Sequence, residues 1–598
     1  MVRAHAPPPT PVLDEAHAAF NLGNALRDQG RPTDALHCYQ RVIEIDPRLT
    51  AAYLNAGNVL RTLKRPGEAQ DYYQRALALQ PDLADAYNNI GALHKDAGRL
   101  DEALACYRRA LELNPRSAVA HYNVATVYRD QQRWDDAAAA YDGALALNPA
   151  LAEAHNNLGL IRKDQGRLSE AIASFSAALK ANPRYTGAHS NLLLTLNYMD
   201  GVQPETVFRA HRDFGIVQET PFAGRIAPHG NVPDTDRRLR IGYVSPDFRF
   251  HACAFFLEPV LASHHHGDFE IFCYAEVERP DTVTGRLHAL ADHWRDTVGM
   301  SDEALAQTIR ADGIDILVDL AGHTASNRLP VFARKPAPVQ ATWLGYPGTS
   351  GLTAIDYRIS DRHADPQGSD AFYTEKLLRL PDALCCFRPM SGMPDIGPLP
   401  ASGNGHITFG SFNNFNKLSA TCIELWARIL CAVPGSRLLM VTVPEGQARS
   451  ALIDRFASLG VAADRLTLHG KLPSVDFYAL FRKTDIAFDP FPMTGGTTTC
   501  ETLWMAVPVI VRVGDRYRSR LGLSFLTAAG YPEFAVTSND AYFELAVRLA
   551  SDIPALADLH AGMRARIAAS PLIDAARFAR NLESLYRQMW HDWCCSVT

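Results

Sequence analysis

Apolar residues in the first third of this 598-residue chain recur at helical spacing, and the pattern as a whole repeats. Small residues stand at Ala35, Ala69, Ala103, Ala137 and Ala171, and four positions later come Tyr39, Tyr73, Tyr107, Tyr141 and Phe175. A proline closes each unit at Pro47, Pro81, Pro115, Pro149 and Pro183, always 34 residues from the last. Proline lacks the N–H that a continuing helix needs and restricts the residue before it, so each one marks a helix end. A glycine column, Gly23, Gly57, Gly91 and Gly159, is broken only by Ala125. The spacing predicts five full helix pairs over residues 14–183 and a sixth first helix over Tyr185–Met199 that docks onto the C-terminal two thirds of the chain. From residue 238 the pattern changes to short apolar runs between helical stretches, the mark of parallel sheets covered on both faces. Strands are expected at 239–245, 269–275 and 315–321, and then, past a loop-rich segment near 388–405, at 406–412, 437–443, 465–470, 486–491 and 508–513.

The period and its columns resemble the tetratricopeptide repeat, two antiparallel helices packed through a small residue against an aromatic one. One column does not follow from packing. Asn21, Asn55, Asn89, Asn123, Asn157 and Asn191 recur through all six first helices, although Asn is a mediocre helix former. On the concave face of such a superhelix these amides would form a ladder that donates to and accepts from an extended acceptor backbone. Bridging of neighbouring helices is the alternative for the same amides. A second polar column, Asp28, Asp96, Asp130 and Asp164 with Thr62 interrupting, suits a ligand-facing groove or a solvated face.

Charge and cysteine content narrow the function classes. A net charge of -6 argues against a nucleic-acid partner, which calls for a Lys/Arg excess. The 11 cysteines form no C-x-x-C pair and include the adjacent couples Cys385/Cys386 and Cys594/Cys595, which suits a reducing cytoplasm better than a disulfide framework. The opening M-V-R-A-H-A-P-P-P-T-P-V-L-D-E has no signal-peptide core, and no apolar run approaches the length of a membrane span, so neither export nor a membrane partner is expected.

Two doubly wound halves would place a cleft at the carboxyl ends of both sheets, where a nucleotide ligand binds. Glycosyltransferases, kinases and dehydrogenases all satisfy that pattern, and the motifs discriminate. M-T-G-G-T-T-T-C-E, residues 493–501, joins an expected strand to an apolar helix. Gly495 and Gly496 would expose backbone N–H groups at the helix start, Thr497 and Thr498 would supply hydroxyls to a diphosphate, and Glu501 would take ribose hydroxyls. An ordinary capped helix is the bland alternative. No Walker loop and no G-x-G-x-x-G follows a first strand, which removes the kinase and dehydrogenase readings. G-S-F-N-N-F-N-K, residues 410–417, leaves the first strand of the second half, and Lys417 there can neutralise a departing diphosphate as a metal does elsewhere. S-P-D-F-R-F-H puts His251 at a strand end, beside the expected sugar site, with a structural histidine as the alternative. W-L-G-Y-P-G-T-S-G, residues 343–351, is a turn suited to a sugar or acceptor pocket, or to a plain loop. No metal is expected: Asp234 and Asp236 lie in a linker, and three consecutive histidines, His264 to His266, cannot face one ion.

Together, tetratricopeptides followed by G-Y-V-S-x-D-F-x-x-H, L-G-Y-P-G-T-S-G, F-G-S-F-N-N and G-T-T-T-C-E-x-L-W-M resemble the protein O-GlcNAc transferase and SPINDLY family over about residues 14–590. The resemblance implies a tetratricopeptide superhelix ahead of an α/β GT-B type glycosyltransferase with two Rossmann-like domains. It also implies inverting, metal-free transfer of a sugar from a nucleotide donor to Ser or Thr of acceptor proteins. On that basis His251 matches the active-site histidine, and Leu344 and Gly345 match the donor-pocket turn. Asn414 and Lys417 match diphosphate and leaving-group contacts, and Thr497, Thr498 and Glu501 match the phosphate and ribose site. UDP-GlcNAc is the expected donor. GDP-fucose is the alternative, because L-P-S-V-D-F-Y-A-L-F offers Ser474, Phe477 and Leu480 where animal members carry basic and histidine side chains, and because Glu501 and G-H-T at 322–324 look closer to SPINDLY. A peptide-binding scaffold with a degenerate catalytic half is the alternative of another class. The expected domains are repeats at 14–200, a linker at 201–237, a first catalytic domain at 238–390 and a nucleotide-sugar domain at 400–598.

Overall fold

The structure, a computed structural model, describes residues 10–390 and 392–597, so part of the opening stretch read for a leader lies outside the described residues. Two compact units divide the chain, one ending at Ile161 and the other starting at Arg162.

The first unit is built of paired helices. Thr50–Thr62 packs on Pro66–Leu79, Ala84–Asp96 on Leu100–Leu113, and Ala118–Asp130 on Trp134–Leu147. Each unit-closing proline falls two residues past a helix end, as at Pro81 after Leu79. The repeat columns are the core: Ala35, Ala69, Ala103 and Ala137 and the rings of Tyr39, Tyr73, Tyr107 and Tyr141 are all buried. The glycine column exists to admit those rings. A Cβ on Gly57 would lie 2.4 Å from Tyr73 Cε1, and one on Gly91 would lie 2.7 Å from Tyr107 Cε1.

The second unit opens with three helices, Leu168–Ala181, Thr186–Tyr198 and Pro204–Glu219. The helix Pro204–Glu219 occupies much of the segment 201–237 expected as linker. Thr186–Tyr198 is bonded to the sheet loops by buried polar groups. Ser190 Oγ lies 3.1 Å from His323 Nδ1, and Asn197 Nδ2 donates to Tyr346 Oη at 2.9 Å. His211 completes this cluster with Nε2 2.7 Å from the same phenol oxygen, and burial draws its imidazole down to about 4, so it is neutral near pH 7.

Seven parallel strands follow: β1 (Leu239–Ser245), β2 (Phe269–Ala275), β3 (His293–Asp296), β4 (Ile316–Asp319), β5 (Val339–Thr342), β6 (Tyr357–Asp361) and β7 (Lys376–Leu380), in the spatial order β3-β2-β1-β4-β5-β6-β7. A second parallel sheet holds β8 (Thr408–Ser411), β9 (Arg437–Met440), β10 (Leu466–Leu468), β11 (Ile486–Phe488), β12 (Val509–Arg512) and β13 (Ala535–Val536), in the order β10-β9-β8-β11-β12-β13. All eight expected strands are present, β1 and β2 with the expected bounds and the other six shortened, and β3, β5, β6, β7 and β13 are additional. One continuous apolar core runs from β1 through β11 to the last helix, Ala575–Val597. That helix lies in the segment expected to belong to the second sheet, yet it packs on the first: Tyr586 Oη is 2.9 Å from Tyr243 Oη, and the Phe578 ring stacks on Trp343.

Candidate active site

Both sheets change direction at one point, and the candidate residues collect there. In the first sheet the order reverses between β1 and β4, and in the second between β8 and β11. The loops leaving adjacent strands at such a point diverge to opposite faces and leave a crevice between them.

In the second sheet the crevice is closed by a partly buried polar network. The loop after β8 carries Asn413 and ends in a short 3-10 turn, Phe415–Lys417. The loop after β11 starts at Asp489 and ends in the helix Thr497–Trp504. Lys417 Nζ reaches across to donate to Thr494 O at 2.9 Å and to Asn413 Oδ1 at 3.2 Å. Asn413 is the hub: its Oδ1 also accepts from Thr498 Oγ1 at 3.1 Å, and its Nδ2 donates to Asp489 Oδ1 at 3.1 Å. The Gly495 N–H is spent on the same carboxylate oxygen at 2.7 Å. Burial pulls the Lys417 ammonium down to about 8 against the attraction of Asp489, and pushes the Asp489 carboxyl up to about 7 against the attraction of Lys417. An ammonium has three donors, and the two partners here leave one for a ligand.

In the first sheet the loop after β1 carries Asp247, Arg249 and His251. They line a cleft of ≈ 250 Å³ together with Glu276, Glu278 and Thr324. The His251 side chain is 34% exposed, with Nδ1 3.4 Å from Asp247 Oδ2. Burial lowers the His251 imidazole, with Asp247 opposing, and burial raises the Asp247 carboxyl. The two loops meet where Thr497 Oγ1 donates to Ala252 O at 3.4 Å. His251 is therefore one residue from a contact with the Gly-Thr turn.

The turn expected at the donor pocket is fixed by close backbone crossings. Leu344 adopts a φ of 74°, and a Cβ on Gly345 would fall 2.1 Å from Leu320 O, just past β4. Gly351, at the end of the same motif, meets the helix Pro204–Glu219, where a Cβ would sit 2.0 Å from His211 O. Glu501 is buried one turn into its helix and accepts from Tyr478 Oη at 3.0 Å, and burial pushes its carboxyl up to about 8. Asn414 is exposed, and the network is built by its neighbour Asn413.

Comparison with known proteins fits this arrangement. Residues 217–387 and 399–582 match glycosyl transferase family 41, and tetratricopeptide repeats match at 20–84, 84–117 and 122–186. The chain belongs to glycosyl transferase family 41. Among its relatives is a protein of Petunia hybrida named probable UDP-N-acetylglucosamine--peptide N-acetylglucosaminyltransferase SPINDLY, 39% identical over 412 residues, which are 67% of this chain and 44% of the relative. A probable UDP-N-acetylglucosamine--peptide N-acetylglucosaminyltransferase SEC of Arabidopsis thaliana is 32% identical over 371 residues, covering 60% of this chain and 38% of the relative. This family 41 chain thus spans less than half the length of these curated relatives. A solved mutant of Thermobaculum terrenum O-GlcNAc transferase superimposes with a TM-score of 0.80 at 34% identity, covering 86% of this chain and 98% of that one.

Elsewhere in the family 41 chain the expected residues have more local partners. Asn55 Nδ2 donates to Asn24 Oδ1 at 3.1 Å, Asn123 Nδ2 to Asn88 Oδ1 at 2.8 Å and Asn157 Nδ2 to Tyr122 Oη at 3.2 Å. Three members of the Asn column therefore bridge to the preceding repeat, while Asn21 is exposed and Asn89 and Asn191 are partly so. Leu480 is buried in a cluster with Phe412, Phe481 and Met505, and Phe477 packs against it. His264, His265 and His266 face three separate carboxylates, Glu583, Asp268 and Asp292. No helix among the described residues is long and apolar enough to cross a membrane. Sequence reasoning misses Asp489, Asn413 and Thr494, although Asp489 is the residue immediately after the strand β11.

Proposed function

We propose that the chain is a protein O-glycosyltransferase that moves a sugar, GlcNAc from UDP-GlcNAc, onto Ser or Thr of acceptor proteins with inversion and without a metal. The observation that carries this reading is the Lys417–Asn413–Asp489 network closing on the Gly-Thr turn at the switch point of the second sheet. The names of the Petunia, Arabidopsis and Thermobaculum proteins support the donor and the acceptor class. Gly496, Thr497 and Thr498 receive the diphosphate at the start of the helix, Gly495 holds the turn on Asp489, and Glu501 takes the ribose. Leu344 and Gly345 line the sugar side, and Asn414 stands at the mouth. Lys417 directs its free N–H to the leaving diphosphate, so the charge that develops there is met by a fixed cation. His251 and Asp247 lie opposite, on the side from which an acceptor hydroxyl attacks when configuration inverts. The Asn column holds acceptors as extended peptides, and the cytoplasm is the site of action.

GDP-fucose is the second reading, favoured by the absence of a basic residue from 472–481. Thermal unfolding with UDP, GDP, UDP-GlcNAc and GDP-fucose separates the two, since a ligand that binds only the folded state stabilises it by RT ln(1 + L/Kd) at free concentration L. Stabilisation by UDP and UDP-GlcNAc with transfer of labelled GlcNAc to protein is expected. Transfer of fucose alone moves the chain to the second reading, and no transfer or hydrolysis with either donor overturns the enzyme assignment. Loss of activity with EDTA that Mg²⁺ or Mn²⁺ restores would refute the metal-free step.

A further inference from the structure

The loop S-P-D-F-R-F-H-A-C after β1 carries a third metal-binding side chain that the transfer reaction does not use. Asp247, His251 and Cys253 each offer one ligand atom, and the three atoms lie within 4.8 Å of one another. His251 Nδ1 is 3.4 Å from Asp247 Oδ2 and accepts the Cys253 N–H at 3.3 Å, a bond that an ion on Nδ1 displaces. Arg249 is 3.7 Å from Asp247 Oδ1, the other oxygen of that carboxylate, which leaves Oδ2 for the shared point. We propose that Asp247, His251 and Cys253 form a three-ligand site for a soft divalent cation of the zinc class, and that the cation inhibits rather than assists.

Zinc bonds of about 2.0–2.3 Å at tetrahedral angles set ligand atoms roughly 3.3–3.8 Å apart, so the imidazole and carboxylate are already spaced for one ion, and the thiol lies within 4.8 Å of both. On binding, the thiol releases its proton to solvent, and the thiolate and carboxylate together balance the two positive charges of the ion. A thiolate and an imidazole select zinc, cobalt or cadmium over Mg²⁺ or Ca²⁺, which prefer oxygen. Asp247 and His251 line the cleft while Cys253 is buried beneath it, so the fourth position opens to the crevice as in zinc sites that keep a water. Among the described residues other clusters lack this convergence: His264 to His266 face separate carboxylates, and Cys595 Sγ lies 3.8 Å from His591 Nδ1. Inhibition rests on the transferase reading, which places His251 beside the acceptor, because an ion on Nδ1 fixes the ring and occupies the approach.

The test uses the full chain with the exposed thiols removed by Cys431→Ser and Cys595→Ser, stripped with a chelator and titrated with Co²⁺ in the absence of any donor. One equivalent should bind with a near-ultraviolet thiolate-to-cobalt charge-transfer band that Zn²⁺ abolishes by displacement. Adding Cys253→Ser should remove the band and weaken binding at least about tenfold, the loss typical of even outer-shell changes at metal sites. Asp247→Asn should keep the band at lower affinity, which separates ligand loss from misfolding. Absence of a band, or its survival in Cys253→Ser, overturns the site whether or not the chain is a transferase. In the transfer assay Zn²⁺ should lower the rate at least about tenfold in the chain that keeps Cys253 and leave the Cys253→Ser chain near its metal-free rate. Equal inhibition of both chains overturns the inhibitory role.

Discussion

Lys417 and Asp489 sit where burial penalises both of their charges, and each is kept ionised largely by the other. Their protonation is therefore coupled, and the direction for the lysine is downward, to about 8. Transfer that needs the ammonium should decline as pH rises through about 8, and a pH profile of kcat should show that falling limb. Lys417→Met should lower kcat about 10²–10³-fold, the cost of removing one fixed donor from a developing anion, with a smaller effect on KM. Glu501 offers a separate check. Its carboxyl is raised to about 8 in the folded chain, so the native state binds a proton that the unfolded chain releases from its usual carboxylate range upward. Its contribution to stability is full at low pH and is lost as pH climbs to about 8. Glu501→Gln should flatten the melting temperature across that window, and an unchanged slope would show that the carboxyl is not protonated. Lys417 is legible in the sequence because its loop directly follows a strand. Asn413 is harder to tell from Asn414, because in a loop no alternation rule says which of two adjacent amides turns inward, and Asp489 reads as the tail of an apolar strand.

Secondary-structure elements are most legible where one face is apolar and least legible where burial is polar. β6 is Y-R-I-S-D, yet Arg358, Ser360 and Asp361 are all buried. The Arg358 guanidinium is stacked over Tyr517 and donates to Tyr346 O at 2.7 Å. β5 hides Gln340, whose Nε2 donates to Phe332 O and Ala354 O. Such strands carry no hydrophobic run because several of their buried polar groups are held by hydrogen bonds made outside the strand. In the repeats the columns give the helices directly, since each repeat uses the same packing. Gly57→Ala tests that packing. Helix propensity favours alanine by about 1 kcal/mol, while overpacking a core typically costs about 1–3 kcal/mol. With Tyr73 Cε1 only 2.4 Å from the new methyl, the clash should win and lower the melting temperature of the repeats. The Asn column divides in the same way. Asn55→Ala, Asn123→Ala and Asn157→Ala each remove an interhelix bond and should cost about 1 kcal/mol, whereas exposed Asn21→Ala should leave stability unchanged. If Asn21→Ala nonetheless raises KM similarly for unrelated acceptors, the ladder contacts acceptor backbone, and an unchanged KM assigns the column to packing alone.

At the scale of the molecule, the repeat pattern and the compact units do not end at the same place. By periodicity the repeats run past Pro183, but the second unit begins at Arg162, inside the helix Ala152–Asp164. The reason lies in what the turn after that helix touches. A Cβ on Gly166 would be 3.1 Å from Phe415 Cε1, so the Phe415 ring lies against this turn, and Asn416 Nδ2 donates to Asp164 Oδ1 at 3.4 Å. Phe415 and Asn416 are the first two residues of the 3-10 turn that ends in Lys417. Further along, Arg518 Nη1 donates to Leu196 O and Asn197 O, and Thr421 Oγ1 donates to Asp200 Oδ2. The last full repeat thus supports the turn that ends in Lys417, which no repeat column could reveal because those columns report only contacts inside the array. Truncation separates the two roles. A chain starting at Ala152 keeps the helix and its turn, so it should hydrolyse the donor at close to the full-chain rate while losing protein acceptors. A chain starting at Arg184 loses Asp164 and Gly166, so donor hydrolysis should fall as well, with the Lys417 limb of the pH profile displaced because the lysine is no longer held. Equal donor hydrolysis by both chains, measured as free nucleotide released, would show that the 164–166 turn does not position Lys417.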